Sequence, residues 1–405
     1  MTVNSPDLQT VRRTLPLLHA GFVVTGVFTV LLGPILPLLS LHWSLRDSQS
    51  ANFFMAQFGG LLLGVAASGV LLRREYRSSF IFGFLLMGSG AASLGHGPWQ
   101  MALLSLFCMG LGNGFITAAT NLWVGESIPE RRARELSFVN FSWTFGAVAC
   151  PFLFKFFASP HAFFGVLWTL CALCALLAGV FAFSKVDEIR PPAQRLAMPS
   201  ESGRLPIDRS AVILALLFFL YVGAETAVGG WLAAYSRREV SGAGTSWILT
   251  PALFWLGMMT GRGLGTLVLR HMPERPIVQA GSLVGLGGIL LLTQVKTLHW
   301  IYSAAFITGL GFSIIFPIVF AWMATHYGED ARRMTGRMLA IAELGASGVP
   351  WFVGILSAMT GSLRFGLAFL LADIAGVFML ASVIRLPQRA KNPKAIARAA
   401  PESLG

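Results

Sequence analysis

The segment YVGAETAVGGWLAAY, residues Tyr221–Tyr235, places one carboxylic acid, Glu225, in a run that is otherwise apolar or small. On a helix of 3.6 residues per turn, spacings of four and three gather one stripe, here Tyr221, Glu225, Val228, Leu232 and Tyr235. A stripe of small residues lies nearly opposite and suits close helix packing: Gly223, Ala227, Gly230 and Ala234. Glu225 is then expected to face a solvated space. An ionisable group inside a membrane span indicates a functional site, or else a structural salt bridge.

The composition of the chain is that of an integral membrane protein. Its 405 residues are 55% hydrophobic and 12% charged, whereas soluble domains carry about 25% charged residues. The four cysteines lie inside apolar runs, which favours neither a disulfide framework nor a zinc site. We therefore expect no metal and no cofactor. The formal net charge of +12 is explained by lysine and arginine kept on the cytoplasmic side of a membrane, so we expect no nucleic-acid partner.

Twelve apolar stretches are long enough to cross a hydrocarbon core, which takes about 20 helical residues. They lie near residues 15–40, 52–72, 79–96, 99–126, 136–158, 162–184, 210–236, 247–270, 276–296, 299–326, 336–359 and 364–386. Of the 30 lysines and arginines, 23 fall in the loops and termini of one side and six on the other. The positive-inside rule then places both termini in the cytoplasm, with the chain in the cytoplasmic (inner) membrane.

A polar stretch with four prolines, SKVDEIRPPAQRLAMPSESGRLPIDR, follows the sixth span and is predicted to be a cytoplasmic linker. It divides the chain into a six-helix bundle at 1–184, the linker at 185–209, a second bundle at 210–386 and a tail at 387–405. An offset of 197 aligns Gly60, Gly64 and Arg73 with Gly257, Gly261 and Arg270. An offset of 199 aligns Gly110, Gly112, Glu130, Gly146 and Pro151 with Gly309, Gly311, Glu329, Gly345 and Pro350. These offsets indicate duplication, the plan of a transporter whose substrate path lies between two repeats.

Four segments carry a family resemblance: YVGAETAVGGW in span seven, FWLGMMTGR at Phe254–Arg262, GLGFSIIFP at Gly309–Pro317 and LGASGVPWFVGIL at Leu344–Leu356. With them the chain resembles the major facilitator superfamily over essentially its whole length, and within it the fucose-permease-like group of sugar:proton symporters. The resemblance implies an all-α membrane protein of the major facilitator fold, with twelve transmembrane helices in two six-helix repeats. Asn121 and Asn140 occupy positions where this group keeps asparagines. Span one lacks the carboxylate that some members carry, and Trp143 stands where histidine is expected.

Glu225 and Arg262 both lie within roughly 5 Å of the middle of their spans, at a rise of about 1.5 Å per residue. Either charge alone would be costly there, so we expect them to pair or to face a water-filled cavity. One hypothesis is that Glu225 takes up and releases a proton. The other is a permanent bridge that only joins spans seven and eight. Glu343, about two turns inside span eleven, is a second protonation candidate or an inner-gate partner.

Polar and aromatic residues in the spans predict a lining for the substrate. Amides and hydroxyls suit sugar hydroxyl groups, and a tryptophan can stack on a sugar ring or an aromatic drug. The residues predicted to bind substrate are Thr25, Thr29, Asn113, Thr117, Asn121, Asn140, Trp143, Tyr221, Trp255 and Trp351. The alternative for each is structural, since polar groups join membrane helices and tryptophans sit at interfaces. Gate contacts are predicted at Arg73, Arg74, Glu126, Glu130, Arg131, Arg270 and Arg333.

Together these features predict a transporter, not an enzyme, that imports a small polar solute with proton coupling by alternating access. Its substrate is expected to be a sugar or a sugar derivative, and its other partners protons and membrane lipids, with the chain acting as a monomer. A proton-driven exporter of amphipathic compounds is the main alternative. A membrane-embedded enzyme or lipid scramblase is more remote, because no nucleophile with a base and no paired metal ligands stand out.

Overall fold

A computed structural model of the chain describes residues 8–71, 75–128, 131–156, 160–188, 208–240, 242, 244–268 and 272–384. The α-helices in these ranges are α1 Leu8–Val30, α2 Leu32–His42, α3 Asp47–Ser50, α4 Asn52–Leu71, α5 Tyr76–Ser93, α6 Trp99–Ser127, α7 Arg132–Phe156, α8 Pro160–Phe183, α9 Arg209–Glu239, α10 Thr250–Val268, α11 Glu274–Gln294, α12 Leu298–Phe312, α13 Ile315–Tyr327, α14 Ala331–Thr360 and α15 Leu363–Val383. Short 3-10 helices lie at Val186–Glu188, Ser246–Leu249 and Gly328–Asp330. These described ranges contain no strand.

Ten helical stretches of the described residues are long and apolar enough to cross a membrane. They are Thr10–Val30, Asp47–Ser68, Trp99–Ser127, Arg134–Phe156, Phe163–Phe183, Arg209–Glu239, Glu274–Gln294, Leu298–Tyr327, Met334–Thr360 and Leu363–Val383. Each lies on one of the twelve predicted spans. The two other predicted spans are occupied by α5, with 18 residues, and α10, with 19. The chain is therefore an all-helical, multi-pass membrane protein.

Two spans predicted as single helices, 15–40 and 299–326, are interrupted. The first is divided into α1 and α2 at Leu31, and the second into α12 and α13 at Ser313 and Ile314. A proline, Pro34 or Pro317, lies three residues beyond each break. Proline has no N–H to donate and its ring clashes with the carbonyl four residues earlier, which weakens the helix at both positions.

Glycines that share the sequence offset make matched contacts in the two parts of the chain. Gly60 lies against the carbonyl oxygen of Phe107, and its counterpart Gly257 against that of Phe306. A Cβ at either glycine would overlap that oxygen, so only glycine lets the two helices approach this closely. Matched carbonyl contacts of the same kind are made by Gly110 and Gly309, and by Gly146 and Gly345.

We call residues 8–188 the first half and residues 208–384 the second half. The halves are joined at one end of the molecule, which we call the Asp47 end. There the Arg238 guanidinium donates hydrogen bonds of 2.7 and 2.5 Å to the two carboxylate oxygens of Asp47. The Ser357 hydroxyl donates a third, of 2.5 Å, to the same carboxylate. Lys155 of the first half donates to the Thr245 hydroxyl of the second, at 2.6 Å.

Closer to the middle of the molecule, the halves touch through glycines of α2 and α9. A Cβ on Gly33 would lie 2.5 Å from the carbonyl oxygen of Gly229, so the two backbones are in contact. Gly230 lies against the ring of Phe54 in α4. Gly223, two turns earlier in α9, lies against Val349 of α14. The close packing that the small stripe of α9 predicted is confirmed at these glycines.

Candidate functional site

A cavity of about 190 Å³ lies where the two halves meet. The first half lines it with Thr29, Val30, Leu32, Gly33, Phe54, Phe58, Leu61 and Trp143. The second half lines it with Val222, Glu225, Thr226, Gly229, Gly230, Trp255, Arg262, Phe316, Glu343 and Ala346. Because both halves form its wall, any change in their relative position changes the cavity.

The second half supplies the charged groups of this cavity. Glu225 and Arg262 are 4.0 Å apart between Oε1 and Nη2, at the outer limit of an ion pair. Their side chains are 12% and 30% exposed. Arg262 also donates a hydrogen bond of 3.1 Å from Nη1 to the Thr144 hydroxyl, across the boundary between the halves. The guanidinium is therefore shared between Glu225 and the first half.

Glu343 brings a second carboxylate to the same cavity from α14. It is close enough to Glu225 for the two groups to interact electrostatically. Two carboxylates face one guanidinium here, so the pocket holds more acidic than basic groups. Among the described residues, no group of three or more His, Cys, Asp or Glu side chains is placed to bind a metal ion.

The two tryptophans of the cavity come from opposite halves and contact each other. The rings of Trp143 and Trp255 are 5.6 Å apart at an angle of 85°, an edge-to-face pair. The Trp143 indole N–H donates to the Thr29 hydroxyl at 3.3 Å. The Trp255 indole N–H is buried and has no hydrogen-bond partner in the structure.

Six of the residues predicted for coupling or substrate line the cavity together: Glu225, Arg262, Glu343, Thr29, Trp143 and Trp255. The structure thus places the three charged residues and one tryptophan from each half in the wall of the same cavity. Asn113 and Thr117 lie behind this wall. Asn113 donates to the Thr29 hydroxyl at 2.7 Å, and Thr117 donates to the Asn113 amide oxygen at 3.2 Å.

Five other predicted substrate residues do not line the cavity. Thr25 is fully buried and donates to the Phe22 carbonyl. Tyr221 is 1% exposed and donates to the Phe312 carbonyl at the break between α12 and α13, although its side chain also interacts electrostatically with Glu225 and Arg262. Thr25 is therefore turned away from the cavity, which corrects its prediction, because its hydroxyl donates to a backbone oxygen. Tyr221 lies beside Glu225 and Arg262, so its role at the substrate path stays a prediction.

Trp351 and the asparagines predicted from the family lie elsewhere. The Trp351 indole donates to the Asn52 side chain at 3.1 Å, a contact between the halves towards the Asp47 end. Asn121 and Asn140 are exposed and outside the cavity wall, and the Asn140 amide donates to the Leu136 carbonyl of its own helix. The lining therefore differs from the amide-rich surface that the sequence predicted.

Of the predicted gate residues, only Glu126 and Arg131 have described side chains. Glu126 accepts a hydrogen bond from the Tyr76 hydroxyl at the start of α5, within the first half. Arg131 is exposed. Arg73, Arg74, Glu130 and Arg270 lie outside the described residues, as does the side chain of Arg333. Their gate role stays a prediction.

Sequence reasoning missed most of the apolar wall and one polar residue behind it. Phe54 and Phe58 of α4 and Phe316 of α13 line the cavity, but a phenylalanine in a membrane span carries no signal of its own. Gln57, in the run FMAQFGG, is 2% exposed and could have been found, since a buried amide in a span demands a partner.

Known proteins resemble this chain along most of its length. A family model described as Major Facilitator Superfamily matches residues 18–354. The glucose/galactose transporter of Brucella abortus is 25% identical over 379 residues, covering 88% of this chain and 90% of the relative. The cyanate transport protein CynX of Escherichia coli is 25% identical over 383 residues, covering 88% and 94%. The crystal structure of the Escherichia coli fucose:proton symporter FucP superposes with a TM-score of 0.63 at 19% identity, covering 93% of this chain and 100% of that one.

Proposed function

Because the chain belongs to the Major Facilitator Superfamily, a family of transporters and not of enzymes, we propose that it carries a small polar solute, a sugar or sugar derivative, by proton-coupled alternating access. The observation that carries this proposal is the cavity between the halves, where two carboxylates and an arginine face a tryptophan from each half. A site of this kind can bind a solute and a proton in the same space.

The proposed architecture has twelve spans in two repeats of six. The ten apolar stretches are completed by α5 and α10, and the matched glycine contacts support the repeat. The first repeat covers residues 1–184 and the second 210–386, joined by a linker at 185–209 and followed by the tail at 387–405. We propose that the chain works as a monomer among membrane lipids.

The proposed orientation has both termini in the cytoplasm and the protein in the inner membrane. It rests on the 23 basic residues of one side against six of the other. The Asp47 end then faces outward. Reporter fusions at the linker and at the loop after α7 test this orientation, and a linker accessible only from outside would contradict it.

Alternating access requires the contacts at the Asp47 end to separate when the cavity opens outward. In the structure they are closed, by the Asp47, Arg238 and Ser357 cluster and by Lys155 with Thr245. Because these contacts join one half to the other, a rigid-body movement of the halves would break them. In the proposed orientation, the state described is closed towards the outside.

A sugar fits this cavity by its chemistry. Tryptophan rings stack on the apolar face of a pyranose, and the Arg262 guanidinium and the two carboxylates supply donors and acceptors for hydroxyl groups. The cavity volume lies below the roughly 300 Å³ at which drug-sized pockets begin. A glucose/galactose transporter among the relatives supports the same class of solute.

For coupling, we propose that Glu225 carries the proton, with Glu343 as its neighbour. The position of the Arg262 guanidinium controls the release of this proton. When its guanidinium moves towards Glu225, it stabilises the carboxylate, and when it binds Thr144 of the first half, it frees the acid for protonation. Movement of the halves would thus change the partner of Arg262 and release the proton.

One observation favours a second candidate function, proton-driven export of small amphipathic compounds. Most of the cavity wall is aliphatic or aromatic, and the predicted amides do not line it. Such a wall suits an apolar body with one positive group that faces Glu225 and Glu343.

A ligand screen separates the two candidates. The purified protein is heated in detergent with D-glucose, D-galactose, L-fucose, cyanate or an aromatic amine. A ligand at a hundred times its dissociation constant stabilises the folded state by about 2.7 kcal/mol, which is readily measured. Stabilisation by a sugar, followed by proton-dependent uptake of that sugar into proteoliposomes, is the expected result. Stabilisation by the amine alone would favour export, and stabilisation by cyanate alone would contradict the sugar proposal.

A further inference from the structure

A polar cluster lies at the first-half wall of the cavity, with Thr29, itself part of that wall, at its centre. The Thr29 hydroxyl accepts hydrogen bonds from the Asn113 amide at 2.7 Å and from the Trp143 indole at 3.3 Å. It donates its own proton to the Thr25 carbonyl at 2.8 Å. The Gln57 amide, from α4, donates to the backbone carbonyls of Phe28 and Thr29, at 2.9 and 3.0 Å. Four helices therefore meet at one residue.

The cluster coincides with the break in the first span. Phe28 and Thr29 belong to the last turn of α1, immediately before the interruption at Leu31. Pro34 cannot donate to the Val30 carbonyl, so the helix has lost part of its own hydrogen bonding here. An amide from a neighbouring helix that binds the carbonyls of this turn fixes the direction in which the chain leaves α1. Residues Val30, Leu32 and Gly33 beyond that turn are part of the cavity wall.

We propose that Gln57 is a positioning residue for the solute site, an inference that rests on the proposed function. Gln57 donates hydrogen bonds to the last turn of α1 and so fixes the position of Thr29, which belongs to that turn. The Thr29 hydroxyl in turn accepts a hydrogen bond from the Trp143 indole and fixes that ring at the cavity. Gln57 itself does not line the cavity and is 2% exposed. It acts on the solute through Trp143 and not by contact.

The donors of Gln57 are used, while its amide oxygen is buried without a hydrogen-bond partner. An unpaired polar atom costs free energy in a membrane interior. The two donated bonds are thus the hydrogen bonds that the Gln57 side chain makes in the structure. A leucine of similar size would fill the same space without them.

The test is a double-mutant cycle between Gln57→Leu and Trp143→Phe, with two readouts. The first is thermal unfolding without any solute, which measures whether the two sites are coupled. The second is counterflow of radiolabelled D-glucose or D-galactose in proteoliposomes. We expect Gln57→Leu to raise KM about tenfold with little change in maximal rate, the effect of about one lost hydrogen bond on binding. In the Trp143→Phe background the same change should add less than about twofold, since the route through the indole is gone.

A matched control is Tyr235→Phe, which also removes a buried hydrogen bond to a helix carbonyl, that of Leu292, but within the second half. It should lower the unfolding temperature and leave KM unchanged. Equal effects of Gln57→Leu in both backgrounds, or an unchanged KM, would overturn the proposal. So would loss of folded protein in Gln57→Leu, Gln57→Met and Asn113→Ala alike, because a positioning role leaves the fold intact. If wild-type protein moves none of the sugars of the ligand screen, the proposed function fails, while the ligand-free cycle still decides whether Gln57 acts through Trp143.

Discussion

The two halves of the molecule pack their helices in the same way but bring different polar groups to the cavity. Gly60, Gly110 and Gly146 of the first half make the same carbonyl contacts as Gly257, Gly309 and Gly345 of the second. At the cavity, however, the first half presents Thr29 and Trp143, backed by the amides of Gln57 and Asn113. The second half presents Glu225, Arg262 and Glu343.

This difference supports separate roles for the two halves, although their helices pack in the same way. Neutral donors and acceptors can orient a solute but cannot couple its movement to a proton. Carboxylates beside a guanidinium can do so, because its position changes their affinity for a proton. The halves also break different spans, the first in the first half and the tenth overall in the second, and each break is held by a side chain of another helix, Gln57 or Tyr221. We infer that coupling resides in the second half, while the first half contributes neutral groups to solute recognition.

The largest effect is expected from Glu225→Gln, which mimics a permanently protonated acid. Proton-driven accumulation in proteoliposomes should be abolished, while counterflow without a gradient continues, because exchange does not need the proton to leave. The control is Asp373→Asn, which removes a buried carboxylate of the second half that does not line the cavity. Full accumulation by Glu225→Gln would remove the carrier role from this residue and direct attention to Glu343.

Asp47→Asn should have the next largest effect, on the balance between conformations. It weakens the bidentate contact with Arg238 between the halves, and the loss of charge-assisted hydrogen bonds of roughly 1.5–3 kcal/mol favours the outward-open state about tenfold or more. The 44% exposure of Arg238 places the effect near the lower figure. Labelling of a cysteine introduced at Thr226 by a membrane-impermeant reagent measures the outward opening.

The matched control for Asp47→Asn is Arg364→Gln. Arg364 pairs with Glu239 at the same end of the molecule, but both belong to the second half. Its loss should leave the labelling rate unchanged. A rise in labelling as large as that of Asp47→Asn would mean that the Asp47 end loosens generally, and not through separation of the halves.

A smaller effect is expected from substitutions in the first half, which contributes Trp143 to the cavity wall. Trp143→Ala should weaken sugar binding by up to about tenfold, because an aromatic face in a close pair contributes roughly 0.5–1.5 kcal/mol. Asn121→Ala and Asn140→Ala should bind as wild type does, since neither side chain lines the cavity. Isothermal titration with the solute from the ligand screen provides the measurement. If both asparagine variants bind as weakly as Trp143→Ala, the family-based prediction of an amide-lined site is the better one.

The smallest expected effect is the difference in stability between two matched glycine variants, which should be close to zero. Gly146→Ala and Gly345→Ala each force a Cβ onto a backbone carbonyl, that of Val23 or of Phe219. Each should destabilise the fold by roughly 1–3 kcal/mol. Since the contacts are matched, the two losses should agree within about 0.5 kcal/mol. Thermal unfolding of both variants tests this, and a much larger loss in one half would contradict a common scaffold.

The amino-acid sequence by itself determined the class of the protein and the identity of its charged site. Apolar stretches of spanning length predicted a multi-pass membrane protein, and the motifs around Glu225 and Gly309 predicted the superfamily, which is confirmed. Glu225, Arg262 and Glu343 were found because charge inside a span is costly and therefore conspicuous. That rule needs no knowledge of neighbouring helices.

Only the tertiary structure decided which uncharged groups reach the cavity. A hydroxyl or amide in a helix can turn to a backbone carbonyl, as Thr25 and Tyr221 do, or to another side chain, as Asn113 does, and the sequence pattern is the same in each case. The breaks at Leu31 and Ser313 likewise depend on which neighbours bind the exposed carbonyls, since Pro151 and Pro350 lie inside uninterrupted helices. The physical reason is that these choices rest on hydrogen bonds between residues distant in sequence, and local periodicity carries no information about such partners.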